Sequence, residues 1–142
     1  MRAALVRDFG QPLRVETRAD PVLRPGGVIV GLRAAFVPSP MLEFTRGQVP
    51  YRLPPLPYVP GADAVGVIEA VADDVHGLGV GDAVYCDDWV TLRGQPHVGA
   101  YVGLGAMMPG GDAVLREWPD GCFAERFALP AECVTPLGAA AG

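Results

Sequence analysis

Short segments in which apolar and polar residues alternate recur along the whole chain, and this pattern is typical of strands with one buried face. Seven such segments predict strands, at residues 2–7, 13–17, 28–36, 64–72, 82–86, 122–129 and 133–137. Residues 41–46 fit a short helical turn, which Gly47 ends. The pattern therefore predicts a mainly β fold that is rich in strands and has one or two short helices.

Two parts of the chain interrupt this pattern. Residues 49–60 contain five prolines, which can neither donate to a β ladder nor continue a helix, so we expect this part to be extended and irregular. Residues 87–120 are the least readable part, because they combine a glycine-rich run with scattered acidic residues.

Composition indicates one packed domain in spite of many turn residues. The 142 residues include 19 glycines and 15 prolines, a share close to that of low-complexity chains. However, 50% of the residues are hydrophobic and only 19% are charged, which is enough apolar material for a core. The length suits a single domain of this kind.

The charge balance argues against two classes of partner. The net charge is −5, from 16 acidic residues against 11 basic ones, all of which are arginine. Nucleic acids and anionic membranes reward clustered positive charge, so we expect neither as a partner. No apolar run approaches the roughly 20 residues of a membrane-spanning helix. Arg7 and Asp8 interrupt the first apolar segment before a signal-peptide core can form, and we predict a cytoplasmic protein.

The three cysteines, Cys86, Cys122 and Cys133, lack the spacing of a zinc site. Zinc ribbons and fingers need ligands paired at short separation, such as CxxC, so that a loop can wrap a tetrahedral ion. This chain contains no such pair. We therefore expect the cysteines to be ordinary buried thiols.

One segment carries chemistry, residues 56–71, with the sequence Leu-Pro-Tyr-Val-Pro-Gly-Ala-Asp-Ala-Val-Gly-Val-Ile-Glu-Ala-Val. An extended, proline-rich approach meets Gly61, where the backbone can turn sharply or approach another group closely. Asp63 follows, immediately before a buried strand. Because burying a carboxylate inside the strand is costly, Asp63 is expected either to border a pocket or to cap the turn.

This segment resembles the medium-chain dehydrogenase/reductase superfamily, which includes zinc-type alcohol dehydrogenases and quinone oxidoreductases, in its N-terminal GroES-like domain. Residues 75–84 look like the family's Val-x-Gly-x-x-x-Gly-Asp-x-Val turn, and residues 123–127 resemble its Phe-Ala-Glu-Tyr strand. The resemblance implies a GroES-like irregular β-barrel over residues 1–142. It also implies that the family's nucleotide-binding Rossmann domain is absent from this chain, since no Gly-x-Gly-x-x-Gly opens a helix after a strand.

The same resemblance implies an enzyme without zinc. The family's two catalytic zinc ligands, a Cys and a His, fall at Pro38 and Ala62, and the proton-relaying hydroxyl falls at Pro40. The lobe that holds a structural zinc would lie between residues 86 and 121, whose interior lacks cysteine. The zinc-independent quinone oxidoreductase branch is the better comparison. It implies hydride transfer from NADP(H) to a quinone, an enone or another carbonyl compound.

Three residues are the candidates for the catalytic site: Ser39, Asp63 and Tyr51. Ser39, the chain's one serine, lies where the family's cleft meets the cofactor, so it is also the candidate cofactor contact. It equally fits a plain turn residue between two prolines. A phenol at Tyr51 or Tyr58 would suit a quinone oxygen, but tyrosines in such segments usually pack on prolines.

The remaining aromatic and sulfur-containing residues have two readings. Trp89, Met107, Met108 and Trp118 either line an apolar substrate site or form a core that replaces the structural zinc, and we favour the core. His76 and His97 have no partner nearby in the sequence, so we expect a solvated or structural role for both.

The first hypothesis for the function is the substrate-binding half of an oxidoreductase, and two alternatives remain open. One is a stand-alone, non-catalytic binding or scaffold module that shares the barrel. The other is a degenerate dehydrogenase relative that binds a ligand without converting it. The partners implied by the first reading are a small-molecule substrate, the nucleotide-binding domain and a second copy in a homodimer. Residues 1–142 alone are not expected to catalyse hydride transfer.

Overall fold

The computed structural model describes residues 1–92 and 94–138, which form nine strands, two short α-helices and one 3-10 turn. The strands are β1 Arg2–Leu5, β2 Arg14–Thr17, β3 Gly27–Ala35, β4 Ala64–Val71, β5 Ala83–Cys86, β6 Trp89–Leu92, β7 Gln95–Tyr101, β8 Arg126–Pro130 and β9 Val134–Pro136. The helices are α1 Met41–Thr45 and α2 Asp112–Glu117. The fold is thus mainly β with few short helices, as predicted. No helix among the described residues is both long enough and apolar enough to cross a membrane.

Antiparallel pairing organises the strands into three sheets. The largest has five strands in the order β8-β3-β4-β5-β9, and β1-β2 and β6-β7 form two-stranded sheets. Strand β3 pairs with β4 on one side and β8 on the other, and its valines at 28 and 30 are both fully buried. These valines pack in the main core with Ile68 of β4 and Phe127 of β8.

All seven predicted strands are confirmed, with shifts at their ends. The largest shift affects the segment predicted as residues 122–129, where the regular strand begins only at Arg126. Residues 122–124 turn instead: the Ala124 amide donates to the carbonyl of Cys122, and Ala124 pairs with Ala3 in an isolated bridge. Residues 49–60 contain no regular strand or helix, as their prolines predict.

Residues 87–92 and 94–120, whose elements the sequence pattern did not predict, form a lobe that contains the β6 and β7 strand pair, on which α2 packs. Val114 and Leu115 of α2 are buried in the main core, together with Trp118 at the helix end. Gly99 of β7 allows the Trp89 ring to lie on the hairpin, since a Cβ at this position would come within 2.5 Å of it. Glycines that look like loop residues in the sequence are therefore contact points for aromatic rings.

Three glycines from distant parts of the chain meet where the lobe joins the sheet, and we call them the glycine contact: Gly61, Gly103 and Gly121. Gly61 adopts φ +136°, and a Cβ there would lie 2.6 Å from the Cys122 amide nitrogen. A Cβ on Gly103 would lie 2.6 Å from the Gly121 Cα. The contact is held by a hydrogen bond from the Gly121 amide to the Val59 carbonyl, 2.7 Å.

The three cysteines lie in the main core. Cys86 and Cys122 are each 1% exposed, and Cys133 is 6% exposed. Burial raises the pKa of each thiol to about 12. Since the thiolate is the reactive form, these thiols are chemically inert in the folded protein.

We expect Gly103→Ala to lower the free energy of unfolding by about 2–4 kcal/mol, because it combines an unfavourable positive φ with a steric clash. Gly77→Ala is the matched control: Gly77 has a similar φ of +81°, but a Cβ added there would meet no heavy atom within 4 Å. It should cost only about 1 kcal/mol. Urea unfolding of both variants measures the difference. Equal losses would show that the glycine contact is not tightly packed.

We also expect iodoacetamide at pH 8 to leave all three thiols unmodified over the period in which it fully labels the urea-unfolded chain, because burial suppresses their ionisation. Mass spectrometry of both samples counts the labelled sites. Labelling of any one thiol at the rate of the unfolded chain would contradict the burial of these side chains.

Candidate functional site

A groove of about 610 Å³ runs beside α1, and we call it the α1 groove. The loop of residues 10–13 forms one wall, and residues 37–39 lead from the end of β3 along the other. Met41, Leu42 and Thr45 of α1 complete the lining with Arg46. The approach to the groove is apolar and open: Val37 is 64% exposed and Leu42 53% exposed.

Ser39 lines the α1 groove. It sits in the turn between β3 and α1, and it is exposed to solvent. Flanking prolines at 38 and 40 restrict the backbone of this turn, so the hydroxyl is held at the groove wall rather than on a mobile loop. The hydroxyl can donate one hydrogen bond to a ligand and accept others.

The two candidate tyrosines lie elsewhere. Tyr51 is 39% exposed and its ring stacks on Phe44, with 6.0 Å between the ring centroids. It does not line the α1 groove. Tyr58 is fully buried, and its hydroxyl has no hydrogen-bond partner among the described residues. Burial raises the pKa of Tyr58 to about 12, and the side chain is a core residue rather than a ligand contact.

Asp63 belongs to a group of three carboxylates, which we call the acidic cluster: Asp63, Asp87 and Asp88. Their oxygens lie within 4.8 Å of one another. Asp63 immediately precedes β4, and the other two immediately follow β5. The antiparallel register pairs Ala64 with Cys86, so the start of β4 and the end of β5 lie side by side. The strand pairing therefore brings these acids together across 25 residues of sequence.

Asp88 is the buried member of the acidic cluster. Its side chain is buried, at 8% exposure, and its amide donates a hydrogen bond to Asp63 Oδ1 over 3.3 Å. Burial, followed by the adjacent Asp63 charge, raises the pKa of Asp88 to about 7. Burial and a hydrogen bond to Asp63 likewise raise the pKa of Tyr85 to about 12. Asp88 can thus retain a proton near neutral pH.

The acidic cluster is also the group among residues 1–92 and 94–138 whose side chains could hold a metal ion. Carboxylate oxygens suit Mg²⁺, Ca²⁺ or Mn²⁺ rather than the sulfur and nitrogen sites typical of zinc. The positions at which the resemblance places zinc ligands are different and apolar. Ala62 is buried among Met41, Phe44 and Leu104, and Pro38 lines the α1 groove.

A backbone hydrogen bond connects Asp63 to the chain segment that leads to Ser39. The Phe36 amide donates to the Asp63 carbonyl over 2.8 Å, and Ser39 follows three residues later. Three residues of chain span at most about 11 Å, so the acidic cluster begins close to the wall of the α1 groove. Ser39 therefore lines the α1 groove, whereas Asp63 and Tyr51 do not, and Asp63 is tied by its carbonyl to the segment that leads into the groove.

Residues 87 and 88 are the part of the site that the sequence pattern did not reveal. Their signal was present as two adjacent acids at the end of a buried strand, but the acids lie in the segment whose elements could not be read. The register of β4 with β5 is the information that was lacking, because it alone places Asp88 against Asp63.

The aromatic residues and methionines of the lobe do not all belong to the core. Trp118 is buried in the main core, and Trp89 packs on Tyr101 with ring centroids 4.8 Å apart. Met107 and Met108 are 43% and 37% exposed and do not belong to that core. His76 and His97 are exposed, as expected for solvated side chains.

The chain belongs to the alcohol dehydrogenase GroES-like domain family, which matches residues 24–139. It is therefore a member of the medium-chain dehydrogenase/reductase superfamily, as its motifs indicate.

Individual relatives agree with this assignment. A zinc-type alcohol dehydrogenase-like protein of Schizosaccharomyces pombe is 34% identical over 131 residues, which are 91% of this chain and 34% of that protein. A quinone oxidoreductase of Mus musculus is 37% identical over 89 residues, 61% of this chain and 27% of that protein. The crystal structure of an NAD-dependent alcohol dehydrogenase superposes with a TM-score of 0.76 at 28% identity, covering 96% of this chain and 39% of that one. The chain thus spans about a third of the length of these relatives.

We expect the stability of the protein to fall as pH rises from about 4 to about 7. The pKa of Asp88 is raised to about 7 in the folded protein. Between the unfolded-state pKa and this value the folded chain binds more protons than the unfolded chain does. The free energy of unfolding therefore decreases as the pH rises through this range. Asp88→Asn should reduce this loss by at least about 1 kcal/mol. Urea unfolding at pH 5 and pH 8 measures it, with Asp73→Asn, an exposed acid beyond β4, as the control. Identical pH dependence in all three proteins would contradict the assignment.

Proposed function

We propose that this chain is the substrate-binding part of a zinc-independent, nicotinamide-dependent oxidoreductase that reduces a quinone, an enone or another carbonyl compound. Family membership supports the reaction class, and the mouse quinone oxidoreductase and the NAD-dependent alcohol dehydrogenase support the two kinds of substrate and cofactor. The observation that carries the proposal is the pairing of Asp63 with a buried, proton-holding Asp88, joined through the Phe36 amide to the segment that carries Ser39 into the groove.

Zinc independence is supported by the chemistry of the side chains at the ligand positions. A methyl group at Ala62 and a pyrrolidine ring at Pro38 have no lone pair to offer a metal ion. Ala62 is moreover packed among apolar side chains, so a zinc ion beside it would lose its hydration without gaining ligands. These residues do not fit the metal, and the mechanism must polarise the substrate oxygen by hydrogen bonding and proton transfer instead.

Carbonyl reduction needs a hydride at carbon and a proton at oxygen. A nicotinamide cofactor supplies the hydride when bound. The groove offers an apolar surface for the substrate body and the Ser39 hydroxyl as a donor to its oxygen or to the cofactor. The acidic cluster holds the proton at Asp88, whose pKa of about 7 keeps the carboxyl partly protonated near neutral pH.

The described residues do not supply a site for the cofactor's phosphates. They contain no glycine-rich turn from a strand into a helix, the feature that binds a pyrophosphate in dinucleotide-binding folds. The nucleotide-binding domain is accordingly the partner that this proposal requires. Preference between NADPH and NADH depends on that domain, and we retain NADP(H), a cytoplasmic location and a homodimer as predictions.

The native gene product tests the proposal. We expect it to oxidise NADPH or NADH with 1,4-benzoquinone, and to keep that activity after treatment with 1,10-phenanthroline. Ser39→Ala should lower kcat/KM about tenfold, the effect of losing one hydrogen bond, and Asp63→Asn should lower kcat about a hundredfold by removing the charge that helps keep Asp88 protonated. Asp73→Asn should leave both constants unchanged.

Each alternative reading makes a different prediction in this experiment. A scaffold module would show neither saturable binding of the nucleotide nor turnover, and a degenerate relative would bind nucleotide without turnover. Loss of activity on chelation, restored by Zn²⁺, would overturn zinc independence while leaving the reaction class in place.

A further inference from the structure

A second concavity, distinct from the α1 groove, lies where β8, the end of α2 and the loop after β2 meet. Its volume is about 210 Å³, and we call it the Trp118 cavity. It is smaller than the roughly 300–1,000 Å³ of sites for drug-sized ligands, and it has room for about seven water molecules. It therefore suits a small molecule.

The walls of the Trp118 cavity combine an apolar floor with charged side chains. Val59, Ala124 and Phe127 are buried residues that form the floor. Three arginines and three acids surround it: Arg18, Arg24, Arg126, Asp20, Glu117 and Asp120. The arginines stand out in a chain whose net charge is −5.

Two of these arginines are already neutralised by ion pairs. Arg18 Nη1 lies 3.4 Å from Asp120, whose other oxygen accepts a 2.8 Å hydrogen bond from the Val59 amide. Arg126 Nε lies 2.6 Å from Glu69, and its Nη1 lies 3.6 Å from Asp20. These pairs fix the walls and leave little charge for a ligand.

Arg24 differs, because it has no ion-pair partner among the described residues. Its guanidinium lies over the Trp118 ring, 5.9 Å from the centroid. Stacking on an aromatic face orients a guanidinium while leaving the N–H groups at its edge free to donate. A planar guanidinium with free edge donors matches a carboxylate, which it can bind through two parallel hydrogen bonds.

We propose that the Trp118 cavity binds a small organic carboxylate, with its carboxylate on Arg24 and its apolar body on the floor formed by Val59, Ala124 and Phe127. Glu117, which also has no ion-pair partner among the described residues, lines the same cavity. An α-amino acid and a simple acid share the carboxylate that Arg24 recognises. Only the amino acid carries an ammonium group, which could donate a hydrogen bond to the Glu117 carboxylate.

Isothermal titration of the 142-residue chain with benzoate tests this site. We expect saturable binding in the millimolar range, with benzamide, its neutral analogue, binding at least about tenfold more weakly. Arg24→Gln should weaken benzoate binding at least about tenfold. Arg33→Gln, at an exposed arginine outside the cavity, should not change it. Phenylglycine shows which of the two kinds of carboxylate the cavity prefers. If it binds more tightly than benzoate, the ligand is an amino acid; if it binds more weakly, the ligand is a simple acid.

Three results would overturn the proposal: no binding of benzoate or phenylglycine up to about 20 mM, equal binding of benzoate and benzamide, or unchanged binding in Arg24→Gln. Arg46→Gln separates this site from the α1 groove, which Arg46 lines. Loss of binding in Arg46→Gln but not in Arg24→Gln would place the carboxylate in the groove. The proposal does not depend on the enzymatic activity proposed above.

Discussion

The close approach of three backbones at Gly61, Gly103 and Gly121 is the constraint on which the rest of the structure depends. The segment before β4, the lobe and the entry to β8 are far apart in sequence, and they meet with no side chain between them. The contact lets the Phe123 amide reach the Pro60 carbonyl at 3.0 Å. Any side chain at these positions would push the lobe away from the sheet, because backbone atoms cannot yield as a flexible side chain can.

The acidic cluster is a consequence of this packing. Asp87 and Asp88 lie where β5 passes into the lobe, and the Val102 amide, next to Gly103, donates to the Asp88 carbonyl over 2.8 Å. This bond fixes the backbone of Asp88, whose side chain is buried and has its ionisation opposed by that burial and by the Asp63 charge. The fold thus maintains an unfavourable charge environment at one point, an arrangement that is common at functional sites and that costs stability at high pH.

The sequence was most informative where local chemistry determines structure. Proline positions predicted the irregular residues 49–60, and alternating valines predicted β3, because both effects act within a few residues. Gly61 and Asp63 could be recognised from their place before a buried strand. Asp88 could not, because its environment arises from the pairing of two strands separated by the loop between residues 72 and 82.

The lobe shows the same limit for apolar residues. Trp118 and Met108 are equally good core candidates in the sequence, yet Trp118 is 7% exposed and Met108 37% exposed. For Trp118, burial depends on a small residue on a neighbouring strand. A Cβ on Gly27 would lie 2.9 Å from the Trp118 ring, so the absence of a side chain at Gly27 makes room for the indole. Such complementarity between a small and a large residue is not visible from either position alone.

One segment, residues 59–63, links the Trp118 cavity to the acidic cluster. At its start the Val59 amide holds Asp120 on the wall of the Trp118 cavity, and at its end the Asp63 carboxylate accepts from the Asp88 amide. Gly61 lies between these two bonds, with a backbone conformation that glycine alone adopts readily. Because five residues of extended chain have little freedom when both ends are held, the position of Asp63 beside Asp88 is set by the anchoring of Val59 at the far cavity. The carboxyl pair is therefore positioned by the glycine contact as much as by its own hydrogen bond.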